Sequence, residues 1–130
     1  MSATVKEALD SKDAKVLKSQ RGHEKGRVTR YVDRILAILK LNEYNSYDHN
    51  SISKIELAQA FKNVEDLHNM YQWHRDEGTD AAKEEEIENE QNEYFVAVEN
   101  KYHEALKSIL KYNQVGEMNH KEYLLKVAKD

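Results

Sequence analysis

Apolar residues along this 130-residue chain recur at steps of three and four, the period of an amphipathic helix rather than of a strand. The middle of the chain holds the longest lines. Leu57, Phe61, Val64, His68 and Tyr71 alternate steps of four and three, with Leu67 adjoining. Ile87, Tyr94, Val98, Tyr102, Ala105, Ile109 and Tyr112 form a comparable line, reinforced by Phe95, Leu106 and Leu110. Alternating steps of three and four are the seam of a coiled coil. The DEGTD stretch at 76–80 is short enough to turn one helix antiparallel to the other. Upstream, VTRYVDRILAILK presents Val28, Tyr31, Val32, Ile35, Leu36, Ile38 and Leu39 as a broad apolar face. Near the end, Tyr123, Leu124, Val127 and Ala128 offer a shorter one.

Capping signals divide these lines into elements. Thr4-x-x-Glu7, Ser53-x-x-Glu56 and Asn119-x-x-Glu122 have capping-box form, and Thr79 or Asp80 can cap a start after Gly78. The pattern predicts helices at 4–20, 24–42, 53–77, 80–113 and 119–129. NEYNSYDHNS (42–51) and NQVGEMN (113–119) are read as connections, being rich in residues that compete for backbone hydrogen bonds. The expected fold is all-α: a helical bundle built on a long antiparallel coiled-coil-like hairpin with shorter flanking helices. It forms a single domain, with basic N-terminal helices at 1–42, an acidic hairpin at 53–113 and a C-terminal helix at 119–129.

Composition supports this reading. The chain has no proline and only four glycines, so little interrupts its helices. It is 34% charged, which confines the core to the helix stripes. With no cysteine, disulfides and thiolate metal sites are excluded. The longest apolar run, Ile35 to Leu39, falls far short of the ~20 residues that cross a bilayer, and MSATVKEALDSKDAK has no secretory core. The expectation is an intracellular, cytoplasmic protein.

Charge is segregated. Residues 1–40 hold ten Lys/Arg against five Asp/Glu, 41–100 hold four against fifteen, and 101–130 hold six against four. A basic head and an acidic body imply either contact between them or separate partners for each.

The chemical readings are mostly negative. RGHEKGRVTR (21–30) is not a phosphate loop, because three rather than four residues separate its glycines and no strand leads in. His23-Glu24 and His103-Glu104 each lack the second histidine of a zincin helix. Glu65/His68 and Glu117/His120 have the Glu-x-x-His form of di-iron bundles, but Glu117 falls outside the predicted helices and Glu65 lies on the flank of its stripe. KEEEIENEQNE (83–93) lacks the ligand spacing and glycine of a calcium loop and reads as a solvated face favourable to the helix dipole. No catalytic residue, metal, cofactor or small-molecule substrate is expected. The basic residues from Lys12 to Arg34 recur at steps of two to four and can share a face toward RNA phosphates or an anionic membrane, although acids intersperse them.

Lys18-Ser-Gln-Arg21-Gly22-x-x-Lys25-Gly26-x-Val28-Thr29-Arg30, followed by a polar interval and an acidic hairpin carrying Asn92-Glu93-Tyr94-Phe95 and Tyr102, resembles the N-terminal Gag region of Bel/Pao-type retrotransposons over roughly residues 10–112. The resemblance implies a domesticated or excised fragment whose parent polyprotein keeps its enzymes elsewhere. It also implies that Gly22 and Gly26 are helix or joint positions allowing close packing. The expected function is a non-enzymatic structural module that self-associates or binds a helical partner in particle assembly, through Phe61, Leu67, Tyr71, Trp73, Tyr94, Phe95 and Tyr102. The alternative is a matrix-like module that meets RNA or an anionic membrane through Arg21, Lys25, Arg27, Arg30 and Arg34.

Overall fold

The computed structural model describes the backbone of residues 3–40 and 47–129 and the side chains of residues 4–40 and 54–111. The chain is all-α, with four helices and no strand among the described residues: α1 (Ala3–Ser11), α2 (Ala14–Lys40), α3 (Tyr47–His74) and α4 (Ala81–Lys129). Polar pairings fix their directions. Arg21 meets His68 while Glu24 meets Asn63, so α2 and α3 run antiparallel. Arg21 meets Gln91 while Asp33 meets Lys101, so α2 and α4 run parallel. The result is an up-down-up three-helix bundle, with α1 packed on α2 and α3.

The long hairpin is not its scaffold. α2 packs more extensively against α3 than α4 does, and it also packs against α4. At 27 residues it nearly equals α3 at 28. Side-chain size explains the arrangement, because it sets how closely two helices approach. Between α2 and α3 lie aliphatic residues: Val28, Val32 and Ile35 join Leu57, Ala60 and Val64 in one buried cluster, completed from α4 by Val98, Ala105 and Ile109. Between α3 and α4 lie rings. Phe61 stacks on Tyr102 with centroids 4.3 Å apart and planes within 1°, and His68 stacks on Phe95 at 5.0 Å. Large rings hold the α3 and α4 backbones apart, and α2 fills the space with aliphatic side chains worth ~1.5–3 kcal/mol each when buried. Leu110, expected on the seam, is exposed. Tyr112 lies outside the residues whose side chains are described.

The predicted boundaries shift at three places. The first break falls at Lys12-Asp13, not at 21–23. Lys12 takes a left-handed φ of 54°, and the Asp13 carboxylate accepts the backbone N–H groups of Lys15 and Val16 at 2.9 and 3.3 Å, which starts α2 as an N-cap does. α3 already begins at Tyr47, so Ser53 lies inside it. α4 runs unbroken through 113–119 to Lys129, so 119–129 is no separate helix. A glycine inside a helix costs only about 1 kcal/mol, too little to end one without a stronger stop, and a Ser/Asn-x-x-Glu pattern is also compatible with a helix interior.

The 76–80 turn is as expected, and Asp80 rather than Thr79 caps α4. Its carboxylate accepts the Lys83 N–H at 2.8 Å. Gly78 is required there: a Cβ would stand 2.8 Å from the Glu84 Cα. Arg75 reaches across the turn to Glu84 at 2.8 Å, which raises the arginine pKa and lowers that of the carboxyl through their hydrogen bond.

A second cluster, Val5, Ala8, Leu17 and Leu67 with Leu9, Met70 and Tyr71 packed on it, binds α1 to α2 and α3. Among the described residues no helix is long and apolar enough to cross a membrane.

Candidate functional site: a buried arginine bridge and an open basic flank

Leu17, Arg21, Glu24, Val28, Val32 and Ile35 follow one another at steps of three and four, and all are buried on α2. Helical geometry therefore carries two charged residues into the interior on the same stripe that makes the core. Arg21 is 2% exposed. Its guanidinium lies over the Tyr94 ring at 4.1 Å and the Tyr71 ring at 4.6 Å. Nη1 donates to Gln91 Oε1 at 2.7 Å and to His68 Nδ1 at 2.9 Å. An arginine has only donors, so His68 Nδ1 accepts and the imidazole is neutral with its proton on Nε2. Burial, and next the Arg21 charge, hold the His68 pKa down at about 4. Burial also lowers the Arg21 pKa, with Tyr94 and Tyr71 acting against the shift, and Nε of Arg21 is left buried without a partner.

Glu24, 1% exposed, turns the other way. Both its oxygens accept from Arg27 Nη1 at 3.3 Å, and Oε2 accepts from Asn63 Nδ2 at 3.5 Å. Gln59 donates to the Asn63 oxygen at 3.0 Å. Arg27 also donates to the Tyr31 hydroxyl at 3.2 Å, which raises its pKa ahead of the effect of Glu24.

This geometry splits the five basic candidates. Arg21 is interior and offers nothing to a partner. Lys25 is half-buried with its ammonium over Tyr94 at 4.7 Å. Arg27, half-buried, is held by Glu24. Arg30 and Arg34 are exposed, and Arg34 rests only against the Tyr31 ring, at 5.5 Å. His23, Arg27, Arg30 and Arg34 lie at steps of four, three and four on one flank of α2. Beside Arg27 and Arg30, with Thr4, Ser19, Gln20 and His23, opens a cleft of about 520 Å³.

The aromatic candidates split as well. Leu67 is fully buried; Phe61, Tyr94, Phe95 and Tyr102 pack on the main core, and Tyr71 packs on the second. Only Trp73 is outside, 82% exposed on the outer face of α3. The two motifs that carry the Gag-like resemblance prove to be neighbours in space: Arg21 and Lys25 of the first both cover Tyr94 of the second. Gly22 and Gly26 are helical, but a Cβ at Gly22 would meet nothing within 4 Å and one at Gly26 only the tip of Arg30 at 3.4 Å. The expected close packing at these glycines is absent. Glu65 and His68 gather no third ligand, since no group of three metal-capable side chains occurs among the described residues.

Sequence reasoning missed Glu24, Asn63 and Gln91. The signal for Glu24 was present: extending the apolar stripe back from Val28 by four, then three, lands on Glu24 and Arg21.

Most ion pairs are close in sequence, and Lys101–Asp33 joins α4 to α2. The pairs are Arg27–Glu24, Lys62–Asp66, Arg75–Glu84, Lys83–Glu86 and Lys101–Asp33. Among the described residues, none joins a cation of the basic head to a carboxylate of the acidic body. The buried cations of the head meet the body through rings and neutral acceptors instead, while its carboxylates Asp33 and Glu24 meet Lys101 and the Asn63 amide. In comparisons with known proteins, no family model matches the chain, and no curated protein or solved structure matches it.

Proposed function

We propose that the chain is a non-enzymatic, Gag-like structural module that self-associates or binds a helical partner inside the cell, in the manner of retroelement particle assembly. The observation that carries the reading is Trp73. The other large aromatics among the candidates are engaged within the chain, whereas this one stands in solvent with Asn69 and Asp66 one and two turns before it. An exposed tryptophan offers a partner a large apolar surface, and tryptophans anchor interfaces disproportionately.

Trp73 is the single tryptophan, so its fluorescence reports this position alone. Mass by light scattering over a wide concentration range should rise above the monomer, with emission moving to shorter wavelength as Trp73 is covered. A strict monomer with unchanged emission, alone and with candidate helical partners, overturns the reading.

A second reading, binding of RNA or an anionic membrane, is favoured by the exposure of Arg30 and Arg34, which have no carboxylate partner among the described residues. It predicts anisotropy changes with a labelled oligoribonucleotide, or co-sedimentation with phosphatidylserine vesicles, that weaken steeply with salt.

A further inference from the structure

The chain carries two charged rows of matching step that do not meet within one copy. On the outer flank of α2, Arg34, Arg30 and Arg27, the last also holding Glu24, lie at steps of four and three. On α4, Glu86, Glu90 and Glu93 are exposed at steps of four and three. Glu90 and Glu93 pair with no cation among the described residues, and Glu86 pairs only with the exposed Lys83 of its own turn. Along a helix each such step advances ~4.5–6 Å, so two rows of the same rhythm laid side by side bring charge opposite charge repeatedly, as flanking positions do in coiled coils. Within one copy this cannot happen. Arg30 and Arg34 lie on the flank of α2 that carries the Glu24–Asn63 link to α3, whereas α4 lies against the other flank, where Lys25 covers Tyr94 and Asp33 meets Lys101.

We infer that the basic row of α2 docks on the acidic row of α4 in a second copy of this chain. The inference rests on the self-association reading and names its surface. The occupant is argued from complementarity: the head carries a surplus of five positive charges, the body a surplus of eleven negative ones, and no ion pair among the described residues lets them neutralise each other internally. The two rows are different surfaces, so the contact is head-to-tail and leaves one row free at each end. Such interfaces grow into rings or open chains rather than stopping at a two-fold dimer.

The test uses the full chain and two double variants, Arg30→Glu/Arg34→Glu and Glu90→Lys/Glu93→Lys, all at exposed positions. Analytical ultracentrifugation of the parent chain should show assembly that weakens about tenfold or more between roughly 0.05 and 0.5 M salt, as screening shortens. Each double variant alone should be monomeric, since either change removes one of the two surfaces. Mixing the two should restore assembly as an alternating chain, because one variant is negative on both rows and the other positive on both, so every contact between them joins opposite charges. Mixing either variant with the parent should instead yield capped, shorter assemblies. The exchanged quadruple variant, with both rows reversed, should assemble again. Recovery in the quadruple variant also shows that the doubles failed by charge and not by unfolding. Assembly that ignores salt and persists in both doubles overturns the inference while leaving self-association through Trp73 standing. A strict monomer at low salt overturns both. Loss of assembly in the doubles without recovery in the quadruple variant, with oligoribonucleotide or vesicle binding lost only from the arginine variant, overturns it in favour of an anionic ligand.

Discussion

Arg21 and Glu24 sit one turn apart on α2, both buried and of opposite sign, yet no ion pair joins them. Arg21 faces two phenol rings, a neutral imidazole and an amide oxygen. Glu24 faces a guanidinium and an amide N–H. The difference follows from what each group can use. A guanidinium is weakly hydrated and planar, so aromatic faces and neutral acceptors can hold it. A carboxylate only accepts, and it needs donors. The arginine cage brings α2, α3 and α4 together at one point without a counter-ion, whereas the glutamate site leans on Arg27 of its own helix. The first should therefore be the more costly to dismantle.

Arg21→Ala is expected to have the largest effect. It empties a volume between two rings and leaves the His68 and Gln91 acceptors buried without their donor, a loss of about 3 kcal/mol by the usual cost of such truncations. Arg30→Ala, nine residues on in the same basic stretch, should stay within about 0.5 kcal/mol, as surface changes do. Urea unfolding of both variants measures the contrast, and equal losses would erase it. Glu24→Ala should fall between them, at about 2 kcal/mol. It strands the Asn63 amide in the interior, but Arg27 is half-exposed and can turn to water.

The cage should also be sensitive to acid. His68 is held neutral, with its pKa lowered from the ordinary 6.5 to about 4, so the unfolded chain binds this proton more readily than the folded one. The contribution is fully present above pH 6.5 and declines as pH falls from there toward about 4, by at most ~1.4 kcal/mol per pH unit for one proton. Below about 4 both states are protonated and the slope from His68 ends. Unfolding free energy measured between pH 7 and 5, where carboxylates contribute little, should fall in the parent chain and stay nearly flat in His68→Gln. Parallel slopes in the two would remove His68 as the cause.

The same stretch shows what the sequence made legible. The apolar stripes of α2, α3 and α4 could be read from their period, because burial of a helix face leaves a record at steps of three and four. The DEGTD turn could be read because Gly78 and Asp80 are there for steric and capping reasons. The basic residues could not be sorted by sequence alone. Arg21 and Arg30 look alike in a row of cations, and only the extension of the Val28–Ile35 stripe toward the N-terminus separates them. Phe61 and His68 of the first line do stack on Tyr102 and Phe95 of the second, but the period of these lines does not reveal that rings space α3 from α4. Nor does it show that a third helix takes the intervening groove. The start of α2 is not legible because Asp13 stands as one acid among the charges of a mixed stretch, and the breaks expected at 21–23 and 113–119 give glycine more power over a helix than its energy allows.

Gly22 gives the smallest and most discriminating test, since it shares a turn with Arg21 and Glu24 but points outward. It is exposed, lies within α2, and has no positive φ. A Cβ added there meets nothing within 4 Å. If the residue serves no close approach, Gly22→Ala should only remove the conformational freedom that glycine has in the unfolded chain, raising stability by about 0.8–1 kcal/mol. That gain would appear as a higher urea midpoint with an unchanged slope. The gain should survive in the Arg30→Glu/Arg34→Glu background, because neither arginine faces the added methyl. A loss in the parent chain that disappears in that background would mean that a second copy approaches α2 at Gly22 itself, and the outer face of this turn would then belong to the interface as firmly as its inner face belongs to the core.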